Sequence, residues 1–411
     1  MFDVVIVGGG PVGACAGALL TRPGGSGAAL SVALLEPRAE QLLSPAVARA
    51  SAPHDSRVVA LSRASQYVLT HADAWTTIAA TRLSPYERMR IWHESVAPSS
   101  PAALVFDAAD VGQQNLGYIV ENRLLQSALL EAFTRAGGHV EPAALASIDI
   151  GPDSVQVTTT RGSLRARLVV GADGAHSPLR DAAGLSAEMS SYGQTAIVAN
   201  VATARPHEAT AWQRFMKDGT LAFLPLSDGT SSIVWSADDA LAIRLLGASD
   251  AGFGDELDRG SDLALGATRL IGERLSFRLQ RLAAPRYVAM RVALIGDAAH
   301  VVHPLAGQGV NLGLLDAAAL TQVVQAAVVR REDPGALGVL RAYERWRKSE
   351  VAAMSTAIDA FDRLLAHGTG PIARLAQHGL SWVNRSQELR RFFIYRALGL
   401  SGELPAAATG R

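Results

Sequence analysis

The chain is nearly without cysteine. Cys15 stands alone among 411 residues, which excludes an internal disulfide framework and fits a reducing compartment. An excess of one charge is missing as well. The 38 Lys and Arg balance the 38 Asp and Glu, so nothing points to a nucleic acid or to an acidic partner. No uninterrupted apolar run reaches the roughly 20 residues of a membrane helix. The start, Phe2-Asp3-Val4-Val5-Ile6-Val7, carries neither a basic region nor a cleavage site, so no signal peptide is expected. A hydrophobic share of 49% with 18% charged residues describes a globular chain. Its length exceeds one ordinary domain, so two interleaved domains in a cytoplasmic protein are the expectation.

What is present begins with glycine. Asp3 to Val7 reads as a β-branched strand running into Gly8-Gly9-Gly10-Pro11-Val12-Gly13, followed by a small-residue helix from Ala14 to Leu20. The pattern Gly8-x-Gly10-x-x-Gly13 then sits in the strand-turn-helix setting that dinucleotide binding requires. Gly8 permits the tight turn, Gly10 lets a pyrophosphate approach the backbone, and Gly13 lets the helix close on the sheet. A second strand, Leu30 to Leu35, ends in Glu36, 23 residues after Gly13, where a ribose-binding acid belongs. Between them Arg22-Pro23-Gly24-Gly25-Ser26-Gly27 reads as an exposed loop. Cys15, among alanines, reads as a packing residue rather than a nucleophile.

Two further strand-acid-glycine junctions follow. Leu168-Val169-Val170-Gly171-Ala172-Asp173-Gly174 delivers Asp173 to a loop that opens a helix, with His176 at its surface. Leu294-Ile295-Gly296-Asp297 is the second; its loop runs through Gly307, Gln308 and Gly309 to a helix expected to start near Val310 and to include Asn311. An Asp at a strand end accepts bonds from sugar-like hydroxyls, and the Gly307-Gln308-Gly309 turn bares backbone N–H groups at the positive end of a helix. Asp297, His300 and His303 mimic a metal spacing, yet the loop has another use; the two histidines read as structural or as supports of the residues that meet the ligand, and no metal is expected. Asp55 to Ser62 carries Arg57, placed for a pyrophosphate or for a surface salt bridge. Asn122 and Arg123 open a helix with Leu124, Leu125, Ala128, Leu129 and Ala132 on one face, as cofactor contacts or as an ordinary cap.

The texture between these junctions differs. Tyr86 to Phe106 reads as a hairpin-like excursion broken at Pro98-Ser99-Ser100-Pro101. From Thr195 onward short strands alternate with turns such as Ser227-Asp228-Gly229, and Leu275 to Leu282 alternates like a half-buried strand. This inserted antiparallel sheet would wall a second, apolar ligand, with Trp212, Phe215, Phe223 and Trp235 either lining it or serving as core. The remainder is helical: Asp316 to Val329, Arg341 to Phe361, and a tail from Leu364 to Leu398. That tail interleaves Arg374, Arg385, Arg390, Arg391 and Arg396 with Trp382, Leu389, Phe392, Phe393 and Leu398. It suits either packing on the first domain or a membrane or protein surface.

In their order and spacing, Gly8-x-Gly10-x-x-Gly13, Asp173-Gly174-x-x-Ser177-x-x-Arg180 and Gly296-Asp297-Ala298-Ala299-His300 through Gly307-Gln308-Gly309-x-Asn311 resemble the FAD-dependent aromatic hydroxylases of the para-hydroxybenzoate hydroxylase fold. Asp55-Ser56-Arg57-Val58-Val59-Ala60-Leu61-Ser62, Gly117 to Asn122, Gly219 to Leu226 and Ala397 to Pro405 narrow the likeness to the ubiquinone-biosynthesis hydroxylases (the UbiH/UbiF type). The resemblance spans essentially the whole chain. It implies an α/β fold: a Rossmann-like FAD-binding domain with an inserted antiparallel-sheet substrate domain and C-terminal helices. The expected division is FAD-binding domain at 1–82, 119–185 and 285–340, substrate domain at 83–118 and 186–284, and C-terminal helices at 341–411.

It implies further that Gly8, Gly10, Pro11, Val12 and Gly13 meet the pyrophosphate and Glu36 the adenosine ribose. Arg57, with Asn122 or Arg123, would lie along the phosphates and ribityl chain. Gly296 and Asp297 would hold that chain, and Gly307, Gln308, Gly309, Val310 and Asn311 would border the ring. Asp173 belongs to a motif serving both FAD and NADPH or NADH, the implied electron donors. The implied reaction is hydroxylation of a polyprenylated phenol by way of a flavin hydroperoxide, with molecular oxygen as co-substrate. Partners would be other quinone-biosynthesis proteins, with at most peripheral contact at the inner face of a membrane. The sequence names no catalytic base. Thr220 stands where this family often has proline. Alternatives are an FAD monooxygenase of secondary metabolism and a non-catalytic scaffold; a halogenase lacks support because no Trp-x-Trp-x-Ile-Pro-like stretch occurs.

Overall fold

The computed structural model describes residues 1–23, 29–43, 54–303, 308–365 and 386–410. Phe2–Val7 is a strand whose last four residues are fully or almost fully buried, as a parallel strand covered on both faces must be. Its neighbours are Val32–Leu35 and Gly162–Gly171, both parallel to it, and Val292–Leu294 extends the parallel set on the far side of Gly162–Gly171. The β-hydrogen-bonded order therefore brings the carboxyl ends of three strands to one edge. These are the ends that carry Gly8, Asp173 and Asp297. A crevice outside the carboxyl ends of a parallel sheet is where an α/β fold binds its ligand.

Helices cover this sheet. Pro11–Thr21 packs against Asn122–Arg135 and against Gln308–Val329. The close approach is visible at Gly17, where an added Cβ would sit 3.0 Å from the Phe133 ring. Cys15 is fully buried here and burial pushes its thiol far up, which leaves it a packing residue. The 22-residue helix Gln308–Val329 joins the loop after Asp297 to the core, starting two residues before the expected Val310. By length and mean hydropathy it could cross a membrane, although no unbroken apolar run in the sequence signals that. In the fold 67% of its apolar window is buried among other elements, so its apolarity is that of a core helix.

The second sheet has eight strands. Its centre is Glu188–Thr203, Ser231–Asp238, Gly219–Pro225 and Thr210–Met216, paired antiparallel in that order. The expected excursion forms a true hairpin: Arg88–His93 pairs antiparallel with Leu104–Asp107 across the Pro98–Pro101 loop. That hairpin adds to the sheet by a parallel pairing of Arg88–His93 with Thr210–Met216. Thr268–Ala283 runs along Glu188–Thr203 for sixteen residues. It is more open than its alternation implies, because Leu275 and Phe277 are each 41% exposed. A small third sheet of Val58–Leu61, Gly117–Glu121 and Ser84–Tyr86 bridges the two large ones. Leu337–Leu365 and Gln387–Ala397 are helices of the C-terminal part; Arg374, Trp382 and Arg385 lie outside the described residues.

Candidate cofactor and substrate site

A cavity of about 510 Å3 follows the carboxyl edge of the parallel sheet. Gly8, Gly10, Glu36, Asn122, Asp173 and Asp297 are among the residues that line it. The three fingerprint glycines do different work. Gly8 has φ +103° and its added Cβ would lie 2.4 Å from the Ala172 carbonyl oxygen. Gly13 lies where a Cβ would come within 2.0 Å of the Gly8 carbonyl oxygen, so the turn itself excludes a side chain there. At Gly10 an added Cβ would meet nothing within 4 Å. No protein neighbour explains that bare backbone, which faces the cavity at the first turn of the Pro11–Thr21 helix.

Glu36 stands at the end of its strand, 7% exposed, and is already oriented. Its Oε2 accepts the Gly9 N–H at 3.1 Å and its Oε1 the Arg38 N–H at 3.0 Å. From the opposite side Gln126 donates to the Gly9 carbonyl at 2.8 Å and lines the same cavity. Sequence reasoning missed Gln126, a polar residue inside an amphipathic helix. Its register on the Leu125 and Leu129 side was the one available signal.

Asp297 lies on a short 3-10 turn, Gly296–Ala298, directly after Val292–Leu294. Its carboxylate projects into the open cleft while protein surrounds it on the other sides. Burial raises its pKa; the charges of His300 and Arg57 pull the other way. The turn is clamped from behind. Asp316, with no exposed surface, accepts the Gly296 N–H at 3.0 Å, the His300 Nε2–H at 2.6 Å and the Arg347 Nε–H at 2.7 Å. Burial alone would raise the Asp316 pKa, but the facing charges of His300 and Arg347 bring it below the ordinary carboxylate value. Arg180 donates to the Ala298 carbonyl at 3.1 Å, and the Tyr343 hydroxyl to the Leu294 carbonyl at 2.8 Å. His300 is therefore a structural residue of the clamp, as the sequence reading holds.

Asp173 lines the cavity with its oxygens engaged. The Ser177 hydroxyl and the Leu179 N–H, the latter at 2.9 Å, donate to it, and burial outweighs these bonds to raise its pKa. Asn122 is the first residue of its helix and lines the cavity, with Glu121 in the cap position, so it is not an ordinary N-cap. Arg123 points away: its side chain is 74% exposed and reaches Asp55 at 3.8 Å, outside the cavity lining. Asn311 also turns elsewhere. It accepts from the Ser62 N–H at 2.9 Å and the Ser65 hydroxyl at 2.7 Å, and donates to the Ala60 carbonyl at 2.8 Å, tying its helix to the bridging sheet. Gln308 opens that helix, and Gly307 lies outside the described residues.

A second cavity, about 230 Å3, opens against the first. Arg57, Asp297 and Val310 line both, and the Arg57 guanidinium rests 5.8 Å from the centre of the Phe277 ring. Gly309 joins Val310 on the second cavity's wall. Its floor is one face of the second sheet, with Ala211, Ala222, Leu224 and Val234 among apolar contributors. Across from them stand Tyr86, whose hydroxyl burial pushes up to about 12, and His303, whose Nε2 lies 3.0 Å from the Gln194 Oε1. Of the four aromatic residues expected to line this space, Trp212 does. Phe215, Phe223 and Trp235 are at most 2% exposed and pack in the core; register places Phe223 and Trp235 on the sheet face opposite Ala211, Gln213 and Ala222. Among the described residues no group of His, Cys, Asp or Glu is arranged to hold a metal.

The FAD binding domain family matches residues 1–357. The chain belongs to the FAD-binding monooxygenases. It is 37% identical over 400 residues to the ubiquinone hydroxylase UbiL of Rhodospirillum rubrum, covering 97% of this chain and 89% of that one. It is 34% identical over 402 residues to the 3-demethoxyubiquinol 3-hydroxylase of Escherichia coli, covering 97% and 98%. Among solved structures, p-nitrophenol 4-monooxygenase from Pseudomonas putida superposes with a TM-score of 0.73 at 19% identity, covering 96% and 98% of the two chains, a likeness of fold.

FAD fits the residues present. The open backbone at Gly10 suits a pyrophosphate, the oriented Glu36 a ribose, and Asp297 the hydroxyls of a ribityl chain. The junction of the cavities at Arg57, Asp297 and Val310 is where the flavin ring of such a monooxygenase would meet its substrate.

Proposed function

We propose that this flavoprotein hydroxylates the aromatic ring of a polyprenylated phenol in ubiquinone biosynthesis. The observation that carries the reading is the small apolar cavity joined to the cofactor channel at Arg57, Asp297 and Val310. Two relatives that match along nearly their whole length and carry names of ubiquinone hydroxylases support it. FAD, when bound, supplies the redox chemistry that activates molecular oxygen, with NADPH or NADH as electron donor. The chain's own residues bind and orient. Gly8, Gly10, Pro11, Val12 and Gly13 form the pyrophosphate turn, with Glu36 on the ribose. Asn122 and Arg57 flank the channel, Asp173 shapes its loop, and Gly296 and Asp297 hold the ribityl chain. Gly309 and Val310 present the start of a 22-residue helix, whose positive end favours a reduced, anionic ring. The apolar floor keeps water from the reacting centre.

On this reading residues 83–118 and 186–284 make up the substrate domain. A peripheral approach to a membrane, where such a lipid resides, is supported by the Gln387–Ala397 helix. It exposes Phe392 (56%) and Tyr395 (42%) beside Arg391. The test is a profile of quinone lipids from cells lacking this gene. A prenylated phenol short of one or more hydroxyl groups is the expected accumulation and also fixes the ring position. A normal profile, restored or not by the gene, overturns the pathway assignment and favours an aromatic of secondary metabolism.

A further inference from the structure

Three polar side chains interrupt the apolar floor of the substrate cavity. Gln213, Thr220 and Ser236 all line it, and each is buried, with exposures of 6%, 7% and 5%. Strand register gathers them. Thr220 lies directly opposite Ser236 in the antiparallel pair. Gln213 pairs with Ala222, two residues along from Thr220, so it is the diagonal neighbour on the same face. Their apolar neighbours in the lining include Val198, Ala211, Ala222, Leu224 and Val234. Among the described residues none of the three side chains makes a hydrogen bond with the protein, in contrast to Gln126 and Asn311 nearby.

Their polar atoms open onto the cavity, so a bound ligand that displaces water there must take over as their partner. A carboxamide and two hydroxyls offer both donors and acceptors, which suits a group that itself gives and takes a hydrogen bond. A phenol hydroxyl does both. We propose that Gln213, Thr220 and Ser236 form a recognition site for the phenol hydroxyl of the substrate ring. By anchoring that oxygen they determine which ring carbon faces the cofactor channel. The inference rests on the hydroxylase reading above and deepens it from substrate class to orientation.

The test compares two ligands of nearly equal shape, 2-prenylphenol and prenylbenzene, titrated into the FAD-loaded enzyme and read by flavin fluorescence. The wild type should prefer the phenol on the order of tenfold or more. The Thr220→Val/Ser236→Ala variant, and separately Gln213→Leu, should bring the two within about threefold of each other. FAD content and prenylbenzene affinity should stay as in the wild type. Thr220→Ser, which keeps the hydroxyl, should keep the preference and so separates hydrogen bonding from packing. A wild-type enzyme indifferent to the hydroxyl, or variants that retain the full preference, overturns the proposal. If the enzyme takes neither prenyl compound but still prefers phenol to benzene, the site stands and the polyprenyl reading fails.

Discussion

Replacing Asp316 by Asn tests the clamp beneath the cofactor channel. Three groups donate to that carboxylate: the Gly296 N–H, the His300 ring and the Arg347 guanidinium. All lie in the interior, Arg347 being 1% exposed and His300 3%. Removing one partner of a buried charge pair leaves the other charge unmatched, a loss of about 3–5 kcal/mol. Asn keeps the shape and one acceptor oxygen, so about 3 kcal/mol is expected for Asp316→Asn and the upper end of the range for Asp316→Ala. Urea unfolding of the flavin-free protein, followed by tryptophan fluorescence, reads this term. A second consequence is specific to the site. Gly296 begins the turn that carries Asp297, so a loosened clamp should also raise the FAD dissociation constant by about tenfold, or 1.4 kcal/mol. The depressed pKa of Asp316 fixes the pH dependence. Its contribution is complete above the unfolded value near pH 4 and is lost as pH falls through the lower folded value, so wild type and variant should converge in acid. An Asp316→Asn protein with unchanged urea midpoint and unchanged FAD affinity would refute the clamp.

Other expectations are simpler to read. Gly10→Ala should fold with wild-type stability, since its Cβ meets no protein atom within 4 Å, yet lose FAD; retained flavin in a spectral assay would contradict the pyrophosphate assignment. Asp297→Asn should loosen FAD; an unchanged flavin dissociation constant would contradict its place beside the ribityl chain. Tyr343→Phe strands the buried Leu294 carbonyl and should cost about 1–2 kcal/mol in urea unfolding, with little effect on substrate affinity.

Much of the cofactor side was readable because its requirements are local. A turn that cannot admit a Cβ announces itself as glycine, and an acid closing an apolar strand stands out against its neighbours. Gly8, Gly10, Glu36, Asp173 and Asp297 therefore stood out, and all five line one cavity. What holds them was not legible. Asp316 meets partners sixteen and thirty-one residues away, and the packing of Gln308–Val329 on Leu337–Leu365 and on the Gly296–Ala298 turn brings them together. The substrate wall failed for a different reason. Facing in a strand depends on register, so Phe223 and Trp235 fall on the sheet face away from Gln213 and Ala222, and residue type does not reveal it. Arg123 misled through proximity to Asn122: on a helix, adjacent residues diverge, and one lines the channel while the other meets solvent.

Arg57, Asp297 and Val310 belong to the walls of both cavities, so neither chamber has a private boundary at their junction. Whatever occupies one changes the enclosure offered to the other. Thermodynamic reciprocity then requires that any factor by which the aromatic ligand tightens FAD is the same factor by which FAD tightens the ligand. Where the ring tightens FAD, the flavin-free protein should be a poorer receptor for the ring by that same factor, even with Gln213, Thr220 and Ser236 intact.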